Sequence, residues 1–250
     1  MAQTRFLLAI PVYNEQRHVR RVLRQVRAHV NDILVVDDGS TDRTPQILAD
    51  ERGLYIIRHP NNQGYGQSLA DAFAFAASAG YDWLITMDCD EQHEAAFLPE
   101  FMAAAQRDEA DLISGSRYLG DLAGRGLPPA DRRRINARIT GLLNARLGLG
   151  ITDAFCGFKA YRTAALRNLR ITEPGYAMPM QLWVQAARAG WRIVELPVRL
   201  IYHDSERQFG GGLDERQVRY QYYLSVLAAE LGGALSSTGP PGSDSIRTAC

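Results

Sequence analysis

Short apolar runs alternate with amphipathic stretches along the first half of the chain. Residues 6–10 are an apolar run stopped by Pro11, and 15–29 is polar with Val19, Val22, Leu23 and Val26 at helical spacing. Residues 33–36 predict a second strand, closed by the turn-rich Asp37-Asp38-Gly39-Ser40. Thr44-Pro45 opens a helix, with Thr as the cap and Pro in the first position. Residues 54–57 predict a third strand, and 65–79, rich in Ala and Phe, a buried helix. The run 83–87 predicts a fourth strand ending in Asp88-Cys89-Asp90, followed by a helix at 97–107 and a strand at 112–114. Beyond Tyr118 the pattern changes to a Gly/Pro-rich loop at 120–130 and a basic amphipathic helix at 131–147. A strand at 158–161, a helix at 180–189, a strand at 193–198 and a helix at 213–231 complete the series. The segment 207–214 contains three consecutive glycines and predicts a mobile loop; 236–250 is Gly/Ser/Pro-rich and predicts a disordered tail.

Repeated strand–helix units predict an α/β fold with a mostly parallel sheet and helices on both faces. Ligands of such sheets bind beyond the carboxyl ends of the strands. Polar clusters stand at those ends here: 11–15, 37–42 and 88–93. An apolar fraction of 46% supports a sizeable core. Acidic and basic residues number 28 each, so bulk electrostatics do not point to nucleic acid. The cysteines, Cys89, Cys156 and Cys250, fit neither a zinc pattern nor a disulfide framework and point to a reducing cytoplasm. No signal peptide or membrane-spanning run is recognisable, which leaves a cytoplasmic protein with room for peripheral membrane contact.

Asp88 and Asp90 are two apart on extended chain, so their carboxylates share a face, an arrangement that suits a hard divalent cation. A solvated acidic turn is the competing reading; Gln92 and His93 add further polar ligand types directly after it. Asp38 can accept from a base N–H, or the 37–42 string can be an Asx turn with a capped helix. Asn62-Gln63-Gly64-Tyr65-Gly66 can let backbone approach a diphosphate.

Read in order, Pro11-Val12-Tyr13-Asn14-Glu15, Val36-Asp37-Asp38-Gly39-Ser40, Asn62-x-Gly64, Asp88-x-Asp90-x-Gln92-His93 and Gly115-Ser116-Arg117-Tyr118 resemble the family 2 inverting glycosyltransferases. The later string Asp153-Ala154-Phe155-Cys156-Gly157-Phe158-Lys159-Ala160-Tyr161 is similar to a segment of the dolichol- and polyprenyl-phosphate sugar transferases. The resemblance covers roughly 5–210 and implies a GT-A-type, Rossmann-like, mixed but mostly parallel sheet. It implies a nucleotide-sugar-binding domain at 1–203, an acceptor-side loop and helix at 204–235, and the tail at 236–250. By the same resemblance Pro11, Tyr13 and Glu15 line the nucleoside pocket, with Asp38 near the base and Asp88 on the donor. Asp88, Asp90 and Gln92 would hold Mg²⁺ or Mn²⁺ on the donor diphosphate. Asp90, Arg117 and Asp153 are the catalytic candidates, Asp153 lying near sugar or acceptor. Arg117 with Arg132, Arg133 and Arg134 falls where that subgroup places arginine for an acceptor phosphate; a solvated basic helix face is the alternative. Arg138 and Arg146 extend the basic character of that helix, which suits an anionic membrane surface.

The activity implied is metal-dependent transfer of a hexose, with inversion, from a nucleotide-diphosphate sugar to polyprenyl phosphate at the cytoplasmic membrane face. Two departures keep other readings open. Gln181 stands where the family often carries Glu, and it cannot act as a base; an already ionised phosphate acceptor needs none. The 203–210 string, with His203, Asp204 and Arg207, differs from the subgroup's loop. A hydroxyl acceptor would require a carboxylate base, with Asp153 the nearest candidate, and a non-catalytic nucleotide-sugar-binding module would bind donor without turnover.

Overall fold

The computed structural model describes residues 3–89, 95–120, 129–199 and 213–232. Seven strands form one sheet in the order β3-β2-β1-β4-β6-β5-β7. These are β1 (Phe6–Val12), β2 (Ile33–Asp37), β3 (Tyr55–Arg58), β4 (Trp83–Thr86), β5 (Leu112–Ser116), β6 (Lys159–Arg162) and β7 (Ile193–Pro197). Every pairing is parallel except those of β6, which lies antiparallel between β4 and β5. The expected mixed, mostly parallel sheet is therefore what the chain forms.

Strand alternation sorts the core into two layers. Leu8, Ile10 and Val12 of β1 pack with Val19, Val22, Leu23 and Val26 of α1 (Val19–Val26), Leu48 of α2 (Thr44–Asp50) and Phe101 of α4 (Leu98–Gln106). Leu7 and Ala9 face the other way, onto α3 (Tyr65–Ser78), α5 (Ala130–Leu147), α7 (Met178–Arg188) and α8 (Arg216–Leu231). Both faces of β1 are buried, as a strand sandwiched between helix layers requires. Phe101 stacks on Phe158 with ring centroids 4.3 Å apart, tying α4 to the start of β6. Removing either ring would cost about 3–5 kcal/mol.

Four local details differ from the pattern-based expectation. β1 continues through Pro11 to Val12. Leu8 N donates to Asp32 O, and Val12 O accepts from Asp38 N, so even positions turn their backbone toward β2. Pro11 therefore faces the β4 side, where pairing has ended at Ala9, and its missing N–H costs no ladder bond. α1 is shorter than 15–29 because Glu15 O is taken by His18 N and Val19 N in a preceding turn. Thr44 is the first residue of α2 rather than its cap; Asp42 Oδ1 accepts its N–H at 2.8 Å. A four-residue helix, α6 (Thr163–Leu166), follows β6 with no forewarning in the pattern.

Among the described residues no helix is long and apolar enough to cross a membrane. The segment 204–212 of the expected acceptor-side loop and the tail at 236–250 lie outside the described residues.

Candidate active site

The carboxyl ends of β1, β2, β4 and β5 open onto one cavity of roughly 1330 Å³. The sheet order spreads its charges: Pro11, Tyr13, Glu15 and Asp38 follow β1 and β2 on one side, Arg117 follows β5 on the other, and Asp88 and Lys159 stand on the neighbouring strands β4 and β6 between them; Arg132 and Arg219 add cations from α5 and α8.

The carboxylate end is built by cross-bracing of strand ends. Asn14, with a left-handed φ of 57°, points its Oδ1 at Thr41 N (2.8 Å) and Asp42 N (3.2 Å), while its own N–H donates to Ser40 Oγ (2.9 Å). Asn tolerates that backbone better than most residues, which explains its place between Tyr13 and Glu15. Asp37 Oδ1 accepts Ser40 N at 2.9 Å and closes the turn after β2. Asp38 is only 4% exposed. Its Oδ1 accepts Gln63 N and His59 Nδ1, each at 2.7 Å, and its Oδ2 accepts Gly64 N at 2.8 Å. It borders the cavity, yet its main work is to hold the turn that precedes α3.

The glycines of that turn serve a purpose the sequence does not suggest. Pro174 O accepts Gly66 N at 2.6 Å and Gln67 N at 3.2 Å, so the N-terminus of α3 is capped by the segment at 173–175. A Cβ on Gly66 would collide with Glu173 O, and one on Gly64 with Pro174 O. Close seating of that segment is what the missing side chains permit. Tyr176, 41% exposed, then stacks on Tyr65 at 5.9 Å between centroids. Gln181 supports the same segment: its Oε1 accepts Thr172 N (2.9 Å) and Glu173 N (2.8 Å). Its Nε2 donates to Thr172 Oγ1 (2.9 Å) and Glu230 Oε2 (3.0 Å). Gln181 is framework and does not border the cavity.

Asp88 stands two residues past β4 and receives the Tyr65 hydroxyl at 3.2 Å. Its carboxylate lies against Gly157, where a Cβ would collide with both oxygens. Burial and the Asp88 charge hold the Tyr65 hydroxyl well above its usual range, so it remains a donor. A hard oxygen ligand at the cavity wall, seated on bare backbone, fits a divalent cation. Asp90 and Gln92, the other two expected ligands, and His93 lie outside the described residues. Among the described residues no group of three or more His, Cys, Asp or Glu is placed to hold a metal.

The cationic end centres on Arg117, directly after β5. Its Nε and Nη2 donate to Asp153 Oδ2 (2.6 Å) and Oδ1 (2.8 Å) in a two-pronged pair, and its backbone N reaches Oδ2 at 3.2 Å. Asp153 also accepts Asn136 Nδ2 at 2.7 Å and Phe155 N at 3.1 Å. Burial alone would raise the Asp153 carboxyl, but Arg117 and Asn136 outweigh it and hold it well below the usual range. Fully buried and encircled by donors, Asp153 sits behind the cavity wall rather than on it. Glu195 of β7 holds it from below, accepting Thr152 N (2.8 Å), Thr152 Oγ1 (2.9 Å) and Asp153 N (3.1 Å).

Of the basic run on α5, Arg132 borders the cavity while Arg133 and Arg134 are exposed and do not. The helical turn separates them: Arg132 shares the inner side with Ile135 and Asn136. Two cations take their place. Lys159 is buried, donates to Ser114 Oγ at 2.9 Å and to Cys156 O, and lies 5.1 Å from the Trp183 ring centroid. Arg219 of α8 is 3% exposed and donates to Leu213 O (2.7 Å) and Asp131 Oδ2 (2.9 Å). A signal for Arg219 exists in the chain: it shares helical spacing with buried Tyr223 and Leu227, so an arginine falls on an apolar stripe. His203, Asp204 and Arg207 lie outside the described residues.

Residues 8–170 match the family described as Glycosyl transferase family 2. The chain belongs to that family. The glycosyltransferase is 31% identical over 221 residues to the undecaprenyl-phosphate mannosyltransferase of Micrococcus luteus, covering 84% of this chain and 89% of the relative. It is 31% identical over 218 residues to the polyprenol monophosphomannose synthase of Mycolicibacterium smegmatis, covering 82% and 79%. Among solved structures, glucosyl-3-phosphoglycerate synthase of Mycobacterium tuberculosis with UDP superposes with a TM-score of 0.72. Identity there is 19%, over 95% of this chain and 83% of that one, so the likeness is one of fold. That enzyme has also been crystallised with Mn²⁺, UDP and phosphoglyceric acid.

Proposed function

We propose that this glycosyltransferase moves a hexose from a nucleotide-diphosphate sugar to polyprenyl phosphate, with inversion. One observation carries the acceptor assignment. Arg117, Arg132, Lys159 and Arg219 line the cavity from β5, β6, α5 and α8, whereas its described carboxylates, Glu15, Asp38, Asp42 and Asp88, all follow β1, β2 or β4. A hydroxyl acceptor needs a base there; a phosphate is already ionised near neutral pH and needs cations instead. Asp153, the nearest base candidate, is engaged by Arg117 and acts in this reading as its positioning residue. The names of the two relatives, which specify undecaprenyl phosphate and polyprenol, support the same acceptor class.

The chemistry follows from the two ends. Arg117 and Arg132 orient the acceptor phosphate so that one oxygen faces the anomeric carbon. The new C–O bond forms as the bond to the nucleotide breaks, its electron pair leaving with the diphosphate. Approach from the opposite side inverts the centre. A divalent cation held by Asp88, with Asp90 and Gln92 completing the set, would offset the charge on the departing nucleotide. Arg133, Arg134 and Arg138 are exposed on α5 beside the cavity and would rest on anionic headgroups at the membrane face. Gln181 gives no support to a non-catalytic module, because its four hydrogen bonds make it part of the scaffold.

A transfer assay with radiolabelled nucleotide sugars, polyprenyl phosphate and either Mg²⁺ or Mn²⁺ tests the reading. Chelator-sensitive lipid-linked product is expected with one donor. A water-soluble saccharide product without lipid would move the assignment to a hydroxyl acceptor. Nucleotide binding with no product for any donor would remove the catalytic reading.

A further inference from the structure

His59, directly after β3, is 5% exposed and lies between two carboxylates. Nδ1 is 2.7 Å from Asp38 Oδ1 at the end of β2, and Nε2 is 2.8 Å from Asp71 Oδ2 on α3. A neutral imidazole has one N–H and one lone pair, so one contact would set a lone pair against a carboxylate oxygen. Both contacts are attractive only when both ring nitrogens carry hydrogen. Beside this cluster Gln67 Nε2 donates to Asp71 Oδ1 at 3.1 Å, and Asp37 Oδ2, which accepts no hydrogen bond, pairs in charge with Arg58 Nε at 3.4 Å.

We propose that His59, as an imidazolium clamped between Asp38 and Asp71, is a positioning residue for the nucleotide end of the cavity. The inference rests on the reading of that end as the donor site. Its route is short. Asp38 holds Gln63 N and Gly64 N, and Asn62, Gly64 and Asp38 all border the cavity. The charged ring therefore fixes the wall against which a nucleotide would lie. It also cancels one negative charge beside Glu15, Asp38 and Asp88, where an anionic donor must approach. A glutamine could tie the same elements together, but it could not supply that charge. Burial disfavours the charged ring, yet its hydrogen bonds to the Asp38 and Asp71 carboxylates raise its pKa above the ordinary 6.5. The charged form is thus complete below the ordinary value and is lost as pH rises through the elevated one.

The test is a titration of ¹⁵N-labelled protein from about pH 6 to about pH 9, bracketing the range in which histidine changes charge. Both His59 ring nitrogens should be protonated at neutrality, and the Gln63 and Gly64 amide signals should move with the same midpoint. In parallel, UDP and GDP, each with Mn²⁺, are titrated by calorimetry across the same range. Affinity should weaken by about tenfold through that midpoint, near the worth of one charge-assisted hydrogen bond. H59Q should bind weakly at every pH, and D71N should lower the midpoint. A neutral ring at pH 7, or amides at 63 and 64 that ignore it, overturns the proposal. If neither nucleotide binds at any pH, the donor reading fails, and the amide titration still decides whether the ring governs the turn.

Discussion

Asp153→Asn isolates the pair that builds the cationic end. The asparagine keeps the shape and removes the charge. Arg117, 14% exposed at its side chain, then faces an amide in place of a carboxylate. Asp153 accepts three N–H groups from Arg117 and one each from Asn136 and Phe155; an amide cannot accept them all. Breaking a buried pair by removing one partner costs about 3–5 kcal/mol, because the other charge stays buried. For a domain of this size each kcal/mol lowers the melting temperature by about 2–4 °C, so a fall of roughly 6–20 °C is expected. R117M and the R117M/D153N double variant complete a thermodynamic cycle, and the double should recover part of the loss. Turnover per bound acceptor should fall by about a hundredfold in D153N, as the guanidinium loses its fixed orientation. The pH dependence has a definite sign. A carboxyl held below its ordinary value contributes stability that is present above about pH 4 and lost as pH falls further. Wild-type protein should therefore shed more stability between neutrality and strong acid than D153N does. Thermal unfolding within about 1 °C of wild type, or a coupling term near zero, would refute the argument.

Three other outcomes test separate parts of the site. Q181E sets a carboxylate against Glu230 Oε2, now 3.0 Å from the amide nitrogen. It should lose roughly 1–3 kcal/mol in urea unfolding at neutral pH without gaining turnover; increased turnover would mean that position 181 reaches the reacting atoms. G157A drives a Cβ into the Asp88 carboxylate and should weaken Mn²⁺-dependent nucleotide binding by at least about tenfold. Unchanged metal affinity would detach Asp88 from the metal. R132A should raise the KM for a short-chain polyprenyl phosphate about tenfold, whereas R133A and R134A should leave it unchanged and together weaken sedimentation with anionic vesicles. Equal effects at all three positions would make the run a diffuse basic face.

The layered fold was legible because its signals are local. Leu7 to Val12 carries no polar residue, as a strand covered on both sides demands, and the α1 stripe Val19, Val22, Leu23, Val26 repeats at helical spacing. The polar strand ends at 11–15 and 37–38, together with Asp88, were legible for the same reason. Long-range pairing was not. Glu230 is the partner that makes a glutamine suitable at 181, and Asp131 is the partner of Arg219; the helices joining these pairs meet only once the sheet is assembled. The purpose of Gly64 and Gly66 was hidden too, since it depends on Pro174 arriving from the far half of the chain.

The decisive hidden feature is the direction of β6. Running antiparallel between β4 and β5, it begins at the edge where its neighbours end. The turn before it, from Asp153 to Gly157, is thereby delivered to the cavity side of the sheet. Gly157 meets Asp88 beyond β4, and Asp153 meets Arg117 beyond β5. A parallel β6 would send that turn to the opposite edge and leave both partners without a seat. One reversed strand thus ties the Asp88 carboxylate beyond β4 to the Arg117 guanidinium beyond β5. It also explains why, in the proposed reaction, substitutions at 153 and 157, only four residues apart, should act separately on acceptor and metal.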